Sequence, residues 1–161
     1  MTMDKLLALL KTNALESPLT LARMLDTTEA DIKARIADYE KRDVIRGYQA
    51  IVDEDKLDLD RVRAVIEVRI TPERGGGYDR IANSIAKFPE VESLHLMSGG
   101  YDLLVFVTGR NLREVATFVN ERLATIDGVL STATHFALKT YKDQNVLMHP
   151  EKEHERLSVT P

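Results

Sequence analysis

The sequence predicts an α+β chain in two parts, helical first and then mixed. Three observations carry this. Apolar residues up to about Gly47 recur at helical spacing. Beyond Arg61 the pattern alternates strand, helix, strand, strand, helix, strand. Between them, Asp53-Glu54-Asp55-Lys56-Leu57-Asp58-Leu59-Asp60 is a polar, acidic stretch suited to a linker. The 161 residues suffice for one compact domain or two small ones.

In the first part, Met3, Leu6, Leu7 and Leu10 fall on one helical stripe. Ser17-Pro18 opens a second helix: Ser is a good N-cap, and Pro at the first helical position gives up an N–H that has no partner there anyway. Leu21, Ala22 and Leu25 form its apolar face, and Asp26-Thr27 breaks it. Thr28 with Asp31 three residues on is a variant capping box. Ile32, Ile36 and Tyr39 then mark a third helix ending near Lys41-Arg42-Asp43. Two short helices joined by a tight turn describe a helix-turn-helix, whose second helix would present Ala30, Lys33, Ala34 and Ala37 outward; a plain three-helix packing unit fits the same pattern. Residues 44–52 read as a strand, a small wing.

In the second part, residues 62–70 read as a strand ended by Pro72 and Gly75-Gly76-Gly77. Tyr78, Ile81, Ala82, Ile85 and Phe88 make a helical stripe stopped by Pro89. Residues 91–97 and 103–107 are strands joined by a hairpin-sized loop, Gly99-Gly100-Tyr101-Asp102. Leu112, Val115, Ala116, Val119 and Leu123 mark a second helix, and residues 129–141 a fourth strand. The order βαββαβ is the ferredoxin-like plan, one antiparallel sheet with both helices on one face. Its other face keeps apolar residues, which suits pairing of two copies.

Composition narrows the function. With no cysteine there is no disulfide, zinc knuckle, iron–sulfur cluster or thiol nucleophile. No apolar run approaches the roughly 20 residues needed to span a bilayer, and the start does not read as a signal peptide, so a cytoplasmic protein without membrane partners is expected. The net charge of −4 argues against a nonspecific nucleic-acid coat. All of the deficit lies in residues 1–60, with 9 Lys and Arg against 13 Asp and Glu; residues 61–161 balance.

Few residues point to chemistry. Gly75-Gly76-Gly77 precedes a helix but lacks the Lys-Ser/Thr of a phosphate loop, so it reads as a flexible connector rather than a phosphate cradle. His95, His135, His149 and His154 show no ligand spacing, and neither a metal nor another cofactor is expected. No nucleophile elbow is present and no catalytic residue is expected. Ser98-Gly99-Gly100-Tyr101-Asp102 stands apart. Its glycines let backbone N–H groups approach a small ligand, and Asp102 offers an acceptor for an ammonium group; taken alone, the residues favour a hairpin turn using Gly for positive φ.

With both parts in place the chain resembles the Lrp/AsnC (feast/famine) transcription regulators over about residues 3–142. The carriers are Leu21-Ala22, Ile32-Lys33-Ala34-Arg35-Ile36, Glu40 and Asp43-Val44-Ile45-Arg46-Gly47-Tyr48 in the first part. In the second they are Phe88-Pro89-Glu90-Val91, the Gly99/Asp102 loop and Thr132-Ala133-Thr134. The resemblance implies a winged helix-turn-helix over residues 1–47, a wing strand and linker over 48–61, and a ferredoxin-like ligand-sensing and dimerisation domain over 62–142. Residues 143–161, a polar tail, lie outside it.

The implied partners are double-stranded DNA, an amino acid or related metabolite as effector, and further copies of the chain as a homodimer or larger homo-oligomer. The implied DNA-binding residues are Thr28, Ala30, Lys33, Ala34, Arg35, Lys41, Arg42 and Arg46, and the effector residues Ser98 to Asp102 with Thr132 and Thr134. Asp43 stands where the family usually has Gly, and residues 29–42 carry four cations against four carboxylates. A single dimer is therefore expected to hold DNA weakly, with assembly compensating through effective concentration. Two other readings share the layout: a sensing or assembly protein without DNA binding, and an enzyme similar to siroheme decarboxylases, for which no clustered His/Arg motif is present.

Overall fold

The computed structural model describes residues 3–57, 59–72 and 77–149, and the chain divides into two compact units at Ala50/Ile51. Gly75, Gly76, His154 and most of the polar tail lie outside the described residues.

The first unit is three helices, α1 (Lys5–Thr12), α2 (Pro18–Leu25) and α3 (Glu29–Lys41). Each start is fixed by a side-chain cap: Asp4 accepts from the Leu6 N–H, Ser17 from that of Thr20 and Thr28 from that of Asp31. Leu6, Leu10, Leu21, Ala22 and Ile32 form the core, with Leu9, Leu25, Ile36, Tyr39 and Ile45 packed around it. Met3 is exposed, because Asp4 caps α1 and leaves Met3 outside the helix.

α2 ends on Asp26 in the left-handed region (φ 53°), and Asp43 takes the same conformation just beyond α3 (φ 58°). There the Val44 N–H bonds back to the Tyr39 carbonyl at 2.8 Å, the long closing bond of a Schellman turn. Only glycine adopts this backbone without steric cost. Asp43→Gly is expected to stabilise the first unit by about 0.5–1 kcal/mol, raising its melting temperature by roughly 4 °C; a fall on scanning calorimetry would contradict it.

The wing strand expected at residues 44–52 is absent: no strand lies between α3 and β1 among the described residues. The run is rich in strand-forming residues, but no second segment among the described residues pairs with it. It is held instead by the Ile45 N–H on the Tyr39 carbonyl (3.2 Å) and the Tyr48 hydroxyl on Glu40 Oε1 (2.9 Å).

The second unit is a four-stranded antiparallel sheet, order β2-β3-β1-β4, built from β1 (Val62–Ile70), β2 (Val91–Leu96), β3 (Leu103–Gly109) and β4 (Val129–Phe136). Helices α4 (Asp79–Ile85) and α5 (Leu112–Phe118) follow β1 and β3, which is the ferredoxin-like order. Alternate residues of β1 and β3, Ala64, Ile66, Val68, Ile70, Leu103, Val105 and Val107, pack with Ile81, Ile85, Val115 and Phe118 in one core. α5 runs into a π-helical turn, Val119–Leu123, closed by the Ala124 N–H on the Val119 carbonyl. The buried set is Val115, Phe118, Val119 and Leu123, the last brought onto that face by the wider turn; the expected Leu112 and Ala116 are exposed.

β4 stops at Phe136, short of the expected residue 141, because its partner β1 begins at Val62. A small hairpin follows, β5 (Lys142–Asp143) with β6 (Val146–Leu147), mostly in the stretch read as a polar tail. Its turn residues, Gln144 (φ 43°) and Asn145 (φ 72°), both carry positive φ, as a type I′ turn requires. No helix among the described residues is long and apolar enough to cross a membrane.

Candidate nucleic-acid interface and effector loop

The outer side of α3 carries Ala30, Lys33, Ala34, Ala37, Asp38 and Lys41, all exposed and at helical spacing, while Ile32 is buried beneath. Ala30, Ala34 and Ala37, set beside Lys33 and Lys41, make a low surface that lets the helix axis come close to whatever it meets. Thr28 stands exposed at the N-terminus of this stripe, its hydroxyl oxygen accepting from the Asp31 N–H at 3.2 Å.

The cations expected to meet phosphate are mostly paired within the unit. Lys33 pairs with Glu29 one turn back, Arg42 with Asp38 at 2.9 Å, and Arg46 with Asp43 at 3.8 Å. Among the described residues Lys41 has no ion pair. These pairs are solvent-exposed, where such contacts contribute roughly 0–1 kcal/mol each, so a phosphate can displace the carboxylate at little cost.

Arg35 stands apart from this stripe. Its Nη2 donates to both oxygens of Asp4, at 2.9 and 3.0 Å, and Nη1 lies 3.6 Å from Asp31. Asp4 also caps α1, so one carboxylate ties α3 to the start of α1. Partial burial alone would raise the Asp4 carboxyl; the Leu6 amide, the Arg35 guanidinium and the Tyr39 hydroxyl outweigh it and hold the group below its ordinary value. The Arg35 guanidinium is pushed up, chiefly by Tyr39, against some loss from burial and with help from Asp4 and Asp31. Sequence reading missed Asp4, although an Asp directly before an apolar helical run is a cap signal.

In the second unit, Ser98, Gly99 and Gly100 are exposed, and Tyr101 and Asp102 half-buried. Gly99 has φ +139°, and a side chain at Gly99 or Gly100 would meet nothing within 4 Å, so the loop's backbone is open to approach. Asp102 makes three bonds, one that closes its own loop and two that tie the loop to β1. Its carbonyl accepts from the Met97 N–H at 2.8 Å, its N–H donates to the Val68 carbonyl at 3.0 Å, and its Oδ2 accepts from the Ile70 N–H at 2.8 Å. The carboxylate expected to face a ligand is thus also a structural acceptor.

Thr132 and Thr134 lie opposite Val68 and Ile66 on β4, whereas Asp102 adjoins β3, on the other side of β1. Two strand spacings, about 10 Å, separate them, and the chain by itself does not bring the threonines to the loop. The open face of the sheet carries Val65, Leu104 and Phe106, all half-buried. His95 meets Phe106 edge-on with ring centres 6.0 Å apart, and His135 lies 3.4 Å from Glu67. No group of three or more metal-ligating side chains occurs among the described residues.

A family model described as the Lrp/AsnC ligand binding domain matches residues 63–147. The uncharacterized HTH-type transcriptional regulator YugG of Bacillus subtilis is 40% identical over 158 residues, 98% of this chain and 95% of its own. The proline dehydrogenase transcriptional activator of Rhodobacter capsulatus is 28% identical over 125 residues, 78% of this chain and 80% of its own. Among solved structures, a Neisseria meningitidis transcriptional regulator in complex with L-Met is 25% identical, with a TM-score of 0.69, covering 88% of this chain and 94% of that one. The AsnC of E. coli aligns with a TM-score of 0.65 at 22% identity, over 87% of this chain and 95% of that one.

Proposed function

The chain belongs to the Lrp/AsnC family of HTH-type transcriptional regulators, and on that premise we propose that α3 reads double-stranded DNA while the loop over residues 98–102 binds an amino acid or related metabolite. The observation that carries the DNA half is the outer stripe of α3. Its small alanines let the helix enter a major groove and touch thymine methyl groups, while Lys33 and Lys41 reach outward. Thr28, at the capped helix N-terminus, sits where a phosphate is favoured. Arg42 and Arg46 exchange Asp38 and Asp43 for phosphates, and Arg35 positions the helix rather than touching DNA.

The effector half is supported by the bare backbone at Gly99 and Gly100 beside Asp102, and by the L-Met complex of the Neisseria regulator. Two chains pair through the open sheet face around Val65, Leu104 and Phe106. An assembly of such dimers presents several reading heads at once, which multiplies a weak single contact. Effector binding and DNA binding are then reciprocally coupled, since each favours one spacing of the heads.

Fluorescence anisotropy of the full chain on DNA from upstream of its own gene tests this. Sequence-selective binding that weakens with salt and shifts on adding an amino acid is expected. Binding that is independent of sequence in every ligand state would remove the DNA role.

A further inference from the structure

We propose that the outer edge of β2 is an interface with a second copy of the chain, the two β2 strands pairing antiparallel about a two-fold axis at Leu94. β2 ends the sheet on one side, and among the described residues no strand pairs with its outer edge. Such an edge is a row of backbone donors and acceptors that another strand satisfies. Lysine and proline commonly blunt an exposed edge, and β2 has neither.

The pattern along β2 fits its own copy. Cross-strand neighbours share a face. Val91, Leu94 and Leu96 lie opposite Val107, Val105 and Leu103, which are buried, so all three belong to the helix side of the sheet. Ser93 and His95 lie opposite Phe106 and Leu104 and belong to the open side. The register slips between Val91 and Ser93, which makes Glu92 an inserted residue; its carboxylate accepts from the Thr108 hydroxyl, also on the open side. Laid antiparallel on itself about Leu94, the strand keeps every residue on its own side. Leu94 meets Leu94 of the second copy, Val91 meets Leu96, and the Glu92-Ser93 bulge meets His95. A two-fold at His95 also keeps the sides, but it sets two imidazoles together and leaves Val91 without a partner.

The contact is complementary on both sides. Leu96 is 59% exposed, whereas Val91 and Leu94 are half-buried. A groove of about 360 Å³ runs between this strand and Ala82, Asn83 and Ala86 of α4. Pairing about Leu94 brings Leu96 of each copy beside Val91 of the other, at the groove, so each copy supplies one knob and one hole. At the rim of the open side, an imidazole N–H of His95 meets the Glu92 carboxylate of the second copy, which keeps an oxygen beyond the one bonded to Thr108. β4, the other edge, has Thr132 and Thr134 opposite the buried Val68 and Ile66, so no apolar row of this kind forms there. The edge is separate from the sheet face around Val65, Leu104 and Phe106, and one chain has both to offer. Its role of joining face-paired dimers into larger assemblies rests on the function proposed above; the edge contact does not.

The chain has no cysteine, so introduced cysteines test the register on the full chain. Opposed residues of an antiparallel pair have Cα atoms about 5 Å apart, within reach of a disulfide. Under mild oxidation with diamide, Leu94→Cys is expected to form a covalent dimer. Leu96→Cys alone is not, because the same residue of the second copy lies about 13 Å further along the strand. A mixture of Leu96→Cys and Val91→Cys is expected to cross-link at least tenfold faster than either alone. In sedimentation equilibrium, Leu96→Glu is expected to leave nothing larger than a dimer, with an unchanged circular dichroism spectrum. If pairing through the sheet face fails instead, Leu96→Glu falls to a monomer and the Leu94→Cys cross-link still forms, which upholds the edge. Cross-linking of Leu94→Cys no faster than that of Leu96→Cys, no gain in the mixture, or a Leu96→Glu chain that assembles like the parent would each overturn the proposal.

Discussion

Asp102→Ala is expected to lower the stability of the second unit by about 1–3 kcal/mol, the usual cost of leaving a buried donor unpaired, and to abolish the response to effector. The donor is the Ile70 N–H, which loses its acceptor beside a side chain that is 3% exposed. Because one change has two consequences, the alanine variant alone cannot separate a ligand contact from a loosened loop. Asp102→Asn can. Its amide oxygen still accepts from Ile70, so stability is expected to return to within about 0.5 kcal/mol of the parent. Its charge is gone, so the affinity for an ammonium-bearing effector is expected to fall at least tenfold, the loss of one charge-assisted bond. Thermal denaturation and effector-induced anisotropy shifts, measured on both variants, decide it. An Asn variant that responds like the parent moves the ligand contact to the loop backbone; an Ala variant of unchanged stability refutes the Ile70 bond.

The second large effect is a gain. In Glu29→Gln with Asp38→Asn, residues 29–42 go from neutral to a net charge of +2, and Lys33 and Arg42 lose the carboxylates that hold them. DNA affinity is expected to rise on the order of tenfold at about 0.1 M salt, with the salt dependence steeper by nearly one unit for each released cation that reaches a phosphate. Lys33→Ala is expected to weaken binding without touching the fold. An unchanged salt slope in the double variant would mean that this side of α3 does not face the phosphates. A gain of that size would mean that internal carboxylates hold down the affinity of a single head, as the proposed function requires.

Local physics was readable in the sequence. The Ser17-Pro18 start, the Thr28 cap and the alternation that buries Ile66, Val68, Val105 and Val107 all depend on neighbours a few residues away, and the structure has them. Contacts across longer stretches were not readable. The Asp102–Ile70 bond spans 32 positions and the Arg35–Asp4 pair 31, and nothing in local spacing records either. The wing failed for a related reason: residues 44–52 have strand propensity, but a strand is a relation between two segments. The hairpin after β4 was hidden because Gln144-Asn145 lacks the glycine that usually marks a type I′ turn.

The Asp4–Arg35 tie bears on how DNA specificity is re-engineered in such chains. Grafting residues 29–41 from a relative that lacks an arginine at the position of Arg35 would orphan the carboxylate that starts α1. The transferable module is therefore larger than α3. It runs from Asp4 onward, and a chimera cut inside it is expected to lose affinity through misplacement of α3 even when every base-facing side chain has been copied correctly.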